Sequence, residues 1–264
     1  MSLQGYWADQ TSAALAALPS DLVVVLPVGA IEQHGPHLPL SVDRDLVEAV
    51  TARALAALMP AQNVLVLPTV QIGCSIEHDR FPGTLSLSGA TLLVVLADLA
   101  ASLRRSGVLR LVLFNGHGGN TAALEMAARE MRVTHGMIVA TASWFGFAGA
   151  EEVFAGADLA QDLHAGLIET SAMLAARPEL VEMDKARDFP TAMTGWAADA
   201  PRIGLSGQPA RPAWAIGDLN REGACGNAAA ATAEAGAQLL DTAGRGFAAF
   251  LAEFARFDHR EQPL

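Results

Sequence analysis

The sequence predicts an α/β protein built around a buried, mostly parallel sheet. Short apolar runs rich in β-branched residues alternate along the chain with longer amphipathic stretches, the pattern of strand–helix units around a sheet covered on both faces. Hydrophobic residues make up 52% of the 264 residues and charged residues only 17%. Such a composition can bury a sizeable core and is far from that of a disordered chain.

The individual elements follow from the same patterns. The apolar runs predict strands at Leu22–Val28, Val64–Val70, Leu109–Phe114 and Met137–Ala142. The amphipathic stretches predict helices at Asp43–Leu58, Ala90–Ser106, Thr121–His135, Gly166–Ala176 and, in an alanine-rich segment, from about Ala228 to Phe257. Their spacing is that expected of crossover connections between parallel strands.

The periodicity fades between Asp188 and Asn227, where prolines, glycines, tryptophans and arginines are frequent. We expect loops and short elements there, serving substrate binding or subunit contact, because long loops in compact domains are often functional. No shift in composition marks a linker. The chain is therefore expected to form one domain over residues 1–264.

The charge balance excludes some partners. There are 17 Lys and Arg against 28 Asp and Glu, a formal net charge of −11, whereas nucleic acids and anionic membranes require basic patches. The apolar stretch from Leu22 to Ile31 is about half of the ~20 residues that a membrane helix needs. The first residues lack a basic region leading into an apolar segment, so we expect a cytoplasmic protein. Neither Cys74 nor Cys225 lies in a CxxC pair, so any metal would be held by His and carboxylate groups.

Two carboxylates and two imidazoles follow the first predicted strand, at Glu32, His34, His37 and Asp43. Glu32 and His34 are two residues apart, so an extended backbone would point them the same way. Gly35, Pro36 and Pro39 form a turning loop that can return Asp43 to the same place. These groups suit Zn²⁺, Mn²⁺ or Fe²⁺. Equally open is a structural interpretation, in which Glu32 ends a strand, His37 packs under the proline loop and Asp43 caps the next helix.

A second cluster follows the strand Leu109–Phe114, where His117 stands between glycines in the segment Asn115–Asn120. The glycines allow the backbone to approach a metal or a substrate closely, and Asn120 or Thr121 can cap the next helix. The alternative is a phosphate cradle, although the spacing fits neither the dinucleotide nor the Walker fingerprint.

Two further clusters lie at His164–Ser171, which contains Glu169, and in the loop Gly73–Thr84, which contains Ser75, Glu77 and His78. A structural interpretation is also open for each cluster. His164 could cap a helix or pack in the core, and Glu169 could be stabilised at a helix N-terminus without a metal. The charged residues of the loop Gly73–Thr84 could form a solvated, ion-paired surface. Five of the seven histidines fall in the four post-strand loops: His34, His37, His78, His117 and His164. Open α/β sheets place their sites at that edge. Ser75 and Cys74 lack the surroundings of a hydrolase nucleophile, which leaves metal-activated water as the simpler chemistry.

In their order along the chain, these motifs resemble the creatininase (creatinine amidohydrolase) family. They are Gly29–Leu40 with Asp43, Phe81–Ser86, Asn115–Asn120 and His164–Ser171. The resemblance covers most of residues 22–175 and returns at 223–236. It implies a Rossmann-like three-layer α/β/α subunit, usually a homo-hexamer, with two divalent ions that hydrolyse a carbon–nitrogen bond in a cyclic or related small amide.

Carried over position by position, the resemblance implies that Glu32, Asp43 and His117 bind one ion and that His34 and Asp43 bind the second, with Asp43 bridging. Ser75 matches a substrate-side serine and His164 the residue that shuttles a proton. Where creatininases proper have Gly-His-Tyr-Glu-Asn, this chain has Gly119 in place of the glutamate that completes the second metal site. Glu169 is our candidate for that ligand and, with His164, for the catalytic pair.

The expected activity is therefore that of a divalent-metal-dependent amidohydrolase, using Zn, Mn or Fe and a metal-bridged hydroxide. Ala160 and Gln161 stand where creatininases have a tryptophan–aspartate pair that contacts creatinine, so another amide is expected as substrate. Gly118 and Trp144 are predicted substrate contacts. For five other residues, substrate contact and a role in packing or a subunit interface are equally open: Trp196, Trp214, Arg202, Arg211 and Arg221. The alternatives are a deformylase or peptidase branch of the family and a non-catalytic oligomeric module that binds a phosphorylated or sugar ligand through Asn115–Asn120.

Overall fold

A five-stranded, all-parallel sheet forms the centre of the protein in a computed structural model, which describes residues 2–205 and 207–260. In sheet order the strands are β1 (Gln4–Tyr6), β3 (Val64–Val66), β2 (Val23–Val28), β4 (Arg110–Asn115) and β5 (Ile138–Ser143). Antiparallel pairing joins two shorter strands, β6 (Asp188–Phe189) and β7 (Gly226–Asn227). The helices are α1 (Val42–Ala57), α2 (Gly89–Arg105), α3 (Thr121–His135), α4 (Ala150–Val153), α5 (Leu167–Ala176), α6 (Met193–Asp199), α7 (Ile216–Leu219) and α8 (Ala233–Phe254).

The sheet separates two apolar layers, because successive side chains of a strand point to opposite faces. Val23 and Val25 pack with buried residues of α1, α5 and α8. Val24 and Leu26 pack with buried residues of α2 and α3. The predicted parallel sheet with helices on both faces is confirmed.

The second predicted strand is shorter than expected. β3 ends at Val66, and Pro68 follows shortly after with no N–H to donate to a ladder. The chain meets β2 again at Val70, whose N–H donates to the carbonyl of Pro27 at 3.0 Å. The predicted extension to Val70 is therefore a separate bridge beyond an interruption.

The last helix begins later than predicted, at Ala233 instead of Ala228. Thr232 caps it, since its hydroxyl accepts from the N–H of Ala235 at 3.2 Å, and the alanines at 228–230 form a separate 3₁₀ turn. The favourable helix propensity of those alanines had obscured the cap.

In the described part of residues 188–227 the elements are short, and they share a small apolar core. Its buried members are Leu205, Ile216, Leu219 and Cys225. Cys225 also bridges to His164 in antiparallel fashion, with its N–H 2.7 Å from the carbonyl oxygen of His164. The end of this region therefore returns to the edge of the sheet where the histidines lie. Of the helices in the described residues, none has the length and apolarity required to span a membrane.

Candidate metal centre

Strand ends and helix starts bring the predicted site residues together. Glu32 and His34 follow β2, His117 follows β4, and Asp43 lies in the first turn of α1. Because β2 and β4 are paired neighbours with the same direction, their carboxyl ends meet at one edge of the sheet. Glu169 reaches the same place from the first turn of α5.

Three overlapping groups each place three ligand atoms within 4.8 Å of one another. They are Glu32, Asp43 and His117; His34, Asp43 and Glu169; and Glu32, His34 and His164. All of these residues are buried. Glu32, His34 and Asp43 each belong to two groups, so the geometry is that of one continuous cluster.

Asp43 lies between two imidazoles of this cluster. Its Oδ1 is 3.6 Å from Nε2 of His34, and its Oδ2 is 3.6 Å from Nδ1 of His117. The side chain makes no capping bond at the start of α1, so the alternative role of Asp43 as a helix cap is wrong. His34 also lies 3.9 Å from Oε2 of Glu169.

Several ligand atoms of the cluster have no hydrogen-bond partner although they are buried. These atoms are both carboxylate oxygens of Glu32, Nε2 of His34 and Oδ2 of Asp43. Leaving such atoms unpaired costs about 1–3 kcal/mol each, and more for a charged group. Oxygen and imidazole donors suit Zn²⁺, Mn²⁺ or Fe²⁺. The residues present therefore fit divalent cations, which would supply the missing partner.

The carboxylates alter the protonation of the buried imidazoles. Burial lowers the pKa of His34, but Asp43, Glu169 and Glu32 raise it to about 9. Burial likewise opposes the charge on His117, whereas Glu32 and other carboxylates raise its pKa to about 10.

Among the acids, burial raises the pKa of Glu169 to about 7 and, helped by Glu32, raises that of Asp43 above its usual value. Burial also opposes ionisation of Glu32, yet His117 and two other histidines hold its pKa below the usual range. Without a cation, the cluster therefore retains extra protons at neutral pH.

Asn120 joins three of the loops. Its Oδ1 accepts from the N–H of Cys74 at 2.8 Å, and its Nδ2 donates to the carbonyl of Gly29 at 3.0 Å and to Oδ1 of Asn115 at 3.2 Å. A Cβ at Gly73 would lie 2.4 Å from the Asn120 oxygen, so the glycine permits this approach. The side chain makes no capping bond to α3. The predicted cap is therefore wrong for Asn120.

The glycine-rich segment is poorly suited to phosphate. The N–H groups of Gly116, His117 and Asn120 already donate to oxygens of the chain. Oxygens of Glu32 and Glu77 lie 3.2 and 3.5 Å from Nε2 of His117 and would repel an anion. The phosphate-cradle alternative is not supported.

His164 lies between two other imidazoles, with ring centroids 4.2 Å from His34 and 4.3 Å from His78. Its Nε2 is 2.8 Å from the carbonyl oxygen of Gln33, which can only accept, so Nε2 carries the hydrogen. Nδ1 faces Oε1 of Glu32 at 3.8 Å. Burial, followed by His34 and His78, holds the pKa of His164 well below its usual value.

The turn that carries His164 is held by Asp162, a residue that we did not single out from the sequence. The Asp162 carboxylate accepts from the N–H groups of Leu167 at 2.5 Å and Ile168 at 3.0 Å, so it caps α5. Ala165 has a positive φ of 52°, and its N–H donates to Oε2 of Glu169 at 2.6 Å. The sequence feature that could have indicated this role is the position of Asp162, an acidic residue shortly before the start of a helix.

The three predicted substrate contacts lie in different surroundings. Ser75 is buried with its hydroxyl 3.4 Å from Nε2 of His117, and Gly118 is exposed next to the same histidine. Trp144 lies fully buried in the core layer of α8, with its ring centroid 4.1 Å from that of Phe145. Direct contact with a substrate would require this side chain to leave the core, and the role of Trp144 stays a prediction.

Gln33 links neighbouring groups, and its position between two predicted ligands was the only indication of this role in the sequence. Its Nε2 is 2.7 Å from Nδ1 of His78 and donates to the carbonyl of Gly223 at 2.9 Å. A cleft of about 360 Å³ opens beside it, lined by Gln33, His34, Gly35, Pro36, Leu38, Leu40, Phe81, Pro82 and Glu222. His37, by contrast, bonds Thr170 at 2.9 Å and stacks on Phe189, as expected of a packing residue.

Comparison with known proteins gives a consistent set of relatives. The creatininase family model, described as creatinine amidohydrolase, matches residues 8–251. A creatinine amidohydrolase from Pseudomonas putida is 37% identical over 188 residues, 65% of this chain and 71% of the relative. A mycofactocin precursor peptide peptidase from Mycobacterium ulcerans (strain Agy99) is 35% identical over 203 residues, 70% of this chain and 74% of the relative.

Solved structures agree with this. A mutant creatininase of the Zn–Zn type matches with a TM-score of 0.75 and 30% identity, covering 94% of this chain and 97% of the other. Both of these curated relatives are hydrolases of amide carbon–nitrogen bonds, and the family model matches this chain over most of its length. It is a hydrolase of that kind, and it belongs to the creatininase family.

Proposed function

We propose that this protein is a divalent-metal-dependent hydrolase that cleaves the carbon–nitrogen bond of a cyclic amide or of a related small amide. The observation that carries the proposal is the buried cluster in which Glu32, His34 and Asp43 present ligand atoms without hydrogen-bond partners. Burying such atoms is unfavourable unless they form a hydrogen bond, pair with a charge or bind a metal ion, and a bound cation would meet this requirement. Their place beyond the carboxyl ends of β2 and β4 is where open α/β sheets bind ligands.

Two ions per chain would use the cluster most fully. Glu32, Asp43 and His117 would hold one, and His34, Asp43 and Glu169 would hold the other, with Asp43 shared. Zinc, manganese and iron all suit these donors. When bound, such ions lower the pKa of water and polarise an amide carbonyl.

His164 is suited to carry the proton. Its Nε2–H is fixed on the carbonyl of Gln33, which leaves the lone pair of Nδ1 directed toward Glu32. Its lowered pKa keeps the ring neutral at pH 7, so Nδ1 can take a proton from the attacking water. The same atom can then return the proton to the leaving nitrogen, which general acid–base catalysis requires.

The substrate is expected to differ from creatinine. Ala160 and Gln161 replace the tryptophan–aspartate pair of creatininases. The cleft beside His34 offers an apolar wall that includes Leu40 and Phe81, which suits an amide with an apolar arm. Peptide hydrolysis is the second candidate, favoured by the 35% identity to the mycofactocin precursor peptide peptidase.

The test combines elemental analysis of protein purified without added metal with assays of an EDTA-treated sample. The substrates are creatinine, other small lactams, formamides and short peptides. We expect about two ions per chain and an activity that a chelator abolishes and Zn²⁺, Mn²⁺ or Fe²⁺ restores. Absence of bound metal together with no activation by these ions would contradict the proposal.

The homo-hexamer implied by family membership is a separate proposal. Light scattering of the purified protein should give six times the mass of one chain. A monomeric mass would contradict the assembly without affecting the proposed chemistry, because all of the proposed ligands come from one chain.

A further inference from the structure

Glu77 contacts the metal centre although it belongs to none of the three ligand groups. It lies on the 3₁₀ turn Ile76–His78, and its Oε1 is 3.5 Å from Nε2 of His117, with only 14% of the side chain exposed. A carboxylate withdrawn this far from water is unfavourable unless it has a charged or hydrogen-bonding partner. Its partner here is His117.

Gly119 provides the space for this contact. A Cβ at position 119 would lie 2.3 Å from Oε1 of Glu77, 2.4 Å from Nε2 of His117 and 2.5 Å from the carbonyl oxygen of Cys74. Atoms do not approach so closely without a shift. Any side chain at this position would therefore push Glu77 away from His117.

The two nitrogens of His117 face different surroundings. Nε2 lies 3.1 Å from the carbonyl oxygen of Cys74, and a carbonyl can only accept, so in the neutral ring Nε2 carries the hydrogen. Nδ1 then has the lone pair and lies 3.6 Å from Oδ2 of Asp43. Nδ1 therefore faces Asp43, whereas Nε2 faces Glu32, Glu77 and the carbonyl oxygen of Cys74.

We infer that Glu77 is a positioning residue whose carboxylate stabilises the Nε2–H form of His117, so that Nδ1 is directed to a cation held with Glu32 and Asp43. The inference rests on the proposed function, because it requires a cation in that cluster. Glu32 also approaches Nε2, at 3.2 Å, but a cation would engage its carboxylate. Glu77 is then the carboxylate that remains available to accept a hydrogen bond from Nε2–H of His117. Carboxylates behind ligand imidazoles fix the tautomer and raise the basicity of the ligand atom.

The test is the zinc affinity of the whole protein, measured by competition with a chromophoric chelator in wild type, Glu77→Ala, Glu77→Gln and Asp79→Asn. We expect Glu77→Ala to weaken binding by about 10- to 100-fold, as loss of such partners usually does. Glu77→Gln should lose less zinc affinity, because the amide oxygen can still accept a hydrogen bond from the N–H although it supplies no charge. Asp79 is an exposed acid on the same loop, so Asp79→Asn should bind like wild type.

A second measurement separates this role from simple packing. In the zinc-loaded protein, nitrogen-detected NMR should show His117 with hydrogen on Nε2, and that signal should shift or broaden in Glu77→Ala. Zinc affinity of Glu77→Ala equal to that of Asp79→Asn would overturn the role of Glu77. If Glu77→Ala fails to fold, the nearly isosteric Glu77→Gln provides the test. Zinc affinity of Glu77→Gln equal to that of the wild type would then overturn the role of Glu77. Wild-type protein that binds no zinc would instead overturn the proposed function itself.

Discussion

At the residue scale, Asp43 is the side chain on which the two halves of the centre depend. Its two carboxylate oxygens face His34 and His117 separately, each at 3.6 Å. We expect Asp43→Ala to abolish both metal binding and turnover, because both candidate ion sites lose a ligand. Elemental analysis and the amide panel check this, and retained activity would contradict the proposal.

Asp45 offers a matched control two residues later on the same helix. It is also buried, but it pairs with Arg44 and accepts from the Ser41 hydroxyl at 2.7 Å. Asp45→Ala should lower the free energy of unfolding and leave the metal content unchanged. If both variants lose metal equally, then general destabilisation and not ligation explains the loss.

The same residues predict a pH dependence of metal binding. In the metal-free protein the pKa values of about 9 for His34 and about 10 for His117 keep both imidazoles protonated at pH 7. Because a cation requires the neutral ring, binding must displace protons, and affinity should rise with pH until the pH has passed about 9 and about 10. Calorimetry in buffers of different ionisation enthalpy counts the released protons. An affinity independent of pH would contradict this expectation.

In the metal-free protein, the stability of the fold should change with pH in the opposite direction to the metal affinity. A raised histidine pKa stabilises the folded state below the unfolded value of 6.5, and this contribution is lost as pH rises through about 9 and about 10. Denaturant unfolding of the chelated protein should therefore show stability that falls from about pH 6.5 until the pH has passed about 9 and about 10. The ion-loaded protein should not, because its imidazoles are already neutral.

At the element scale, the start of α5 depends on Asp162. Its carboxylate accepts from two backbone N–H groups of that helix, and loss of such a cap typically costs about 0.5–2 kcal/mol. Asp162→Ala should lower the free energy of unfolding by that amount and should reduce kcat, because His164 lies only two residues away. Denaturant titration and kinetics measure the two effects.

Asp158 is the control for this prediction. It accepts from one backbone N–H, that of Ala160 at 3.1 Å, in an exposed part of the chain, so Asp158→Ala should lower the free energy of unfolding by less than Asp162→Ala and leave kcat unchanged. Equal effects of the two variants would contradict the assigned role of Asp162.

Element boundaries show what the sequence could and could not predict. The helix Thr121–His135 was predicted at both ends, because Gly136 stops it in a left-handed conformation with φ of 64°. β1 was missed, since Gln4-Gly5-Tyr6 lacks an apolar β-branched run and is ordered by pairing with β3. Such long-range pairing leaves no local pattern.

At the scale of the whole molecule, metal removal should lower thermal stability. A ligand that binds only the folded state at 100 times its Kd contributes about 2.7 kcal/mol, which for a chain of this size corresponds to a fall in Tm of about 5–10 °C on removal. Thermal unfolding before and after EDTA treatment measures it, with zinc added back as the control. An unchanged Tm would contradict a metal centre formed within the fold.

The convergence of the site was predictable, because carboxyl ends of parallel strands meet at one edge and histidine-bearing loops follow β2, β3 and β4. The partners of individual side chains were not. Asn120 ties loops together instead of capping α3, Trp144 enters the core, and Asp162 acts through backbone groups. Each outcome depends on contacts between distant segments. The single domain over residues 1–264 stays a prediction.

The three hydrogen bonds of Asn120 have a consequence for the dynamics of the centre. Its side chain fastens the loops at Gly29, Cys74 and Asn115 simultaneously, so these loops should open together or not at all. In hydrogen exchange, the amide of Cys74 should then be as protected as those of β4, whereas loops held separately would exchange at rates of their own. Asn120→Ala should convert this shared opening into independent local fluctuations, visible as faster exchange at Cys74 while β4 remains protected.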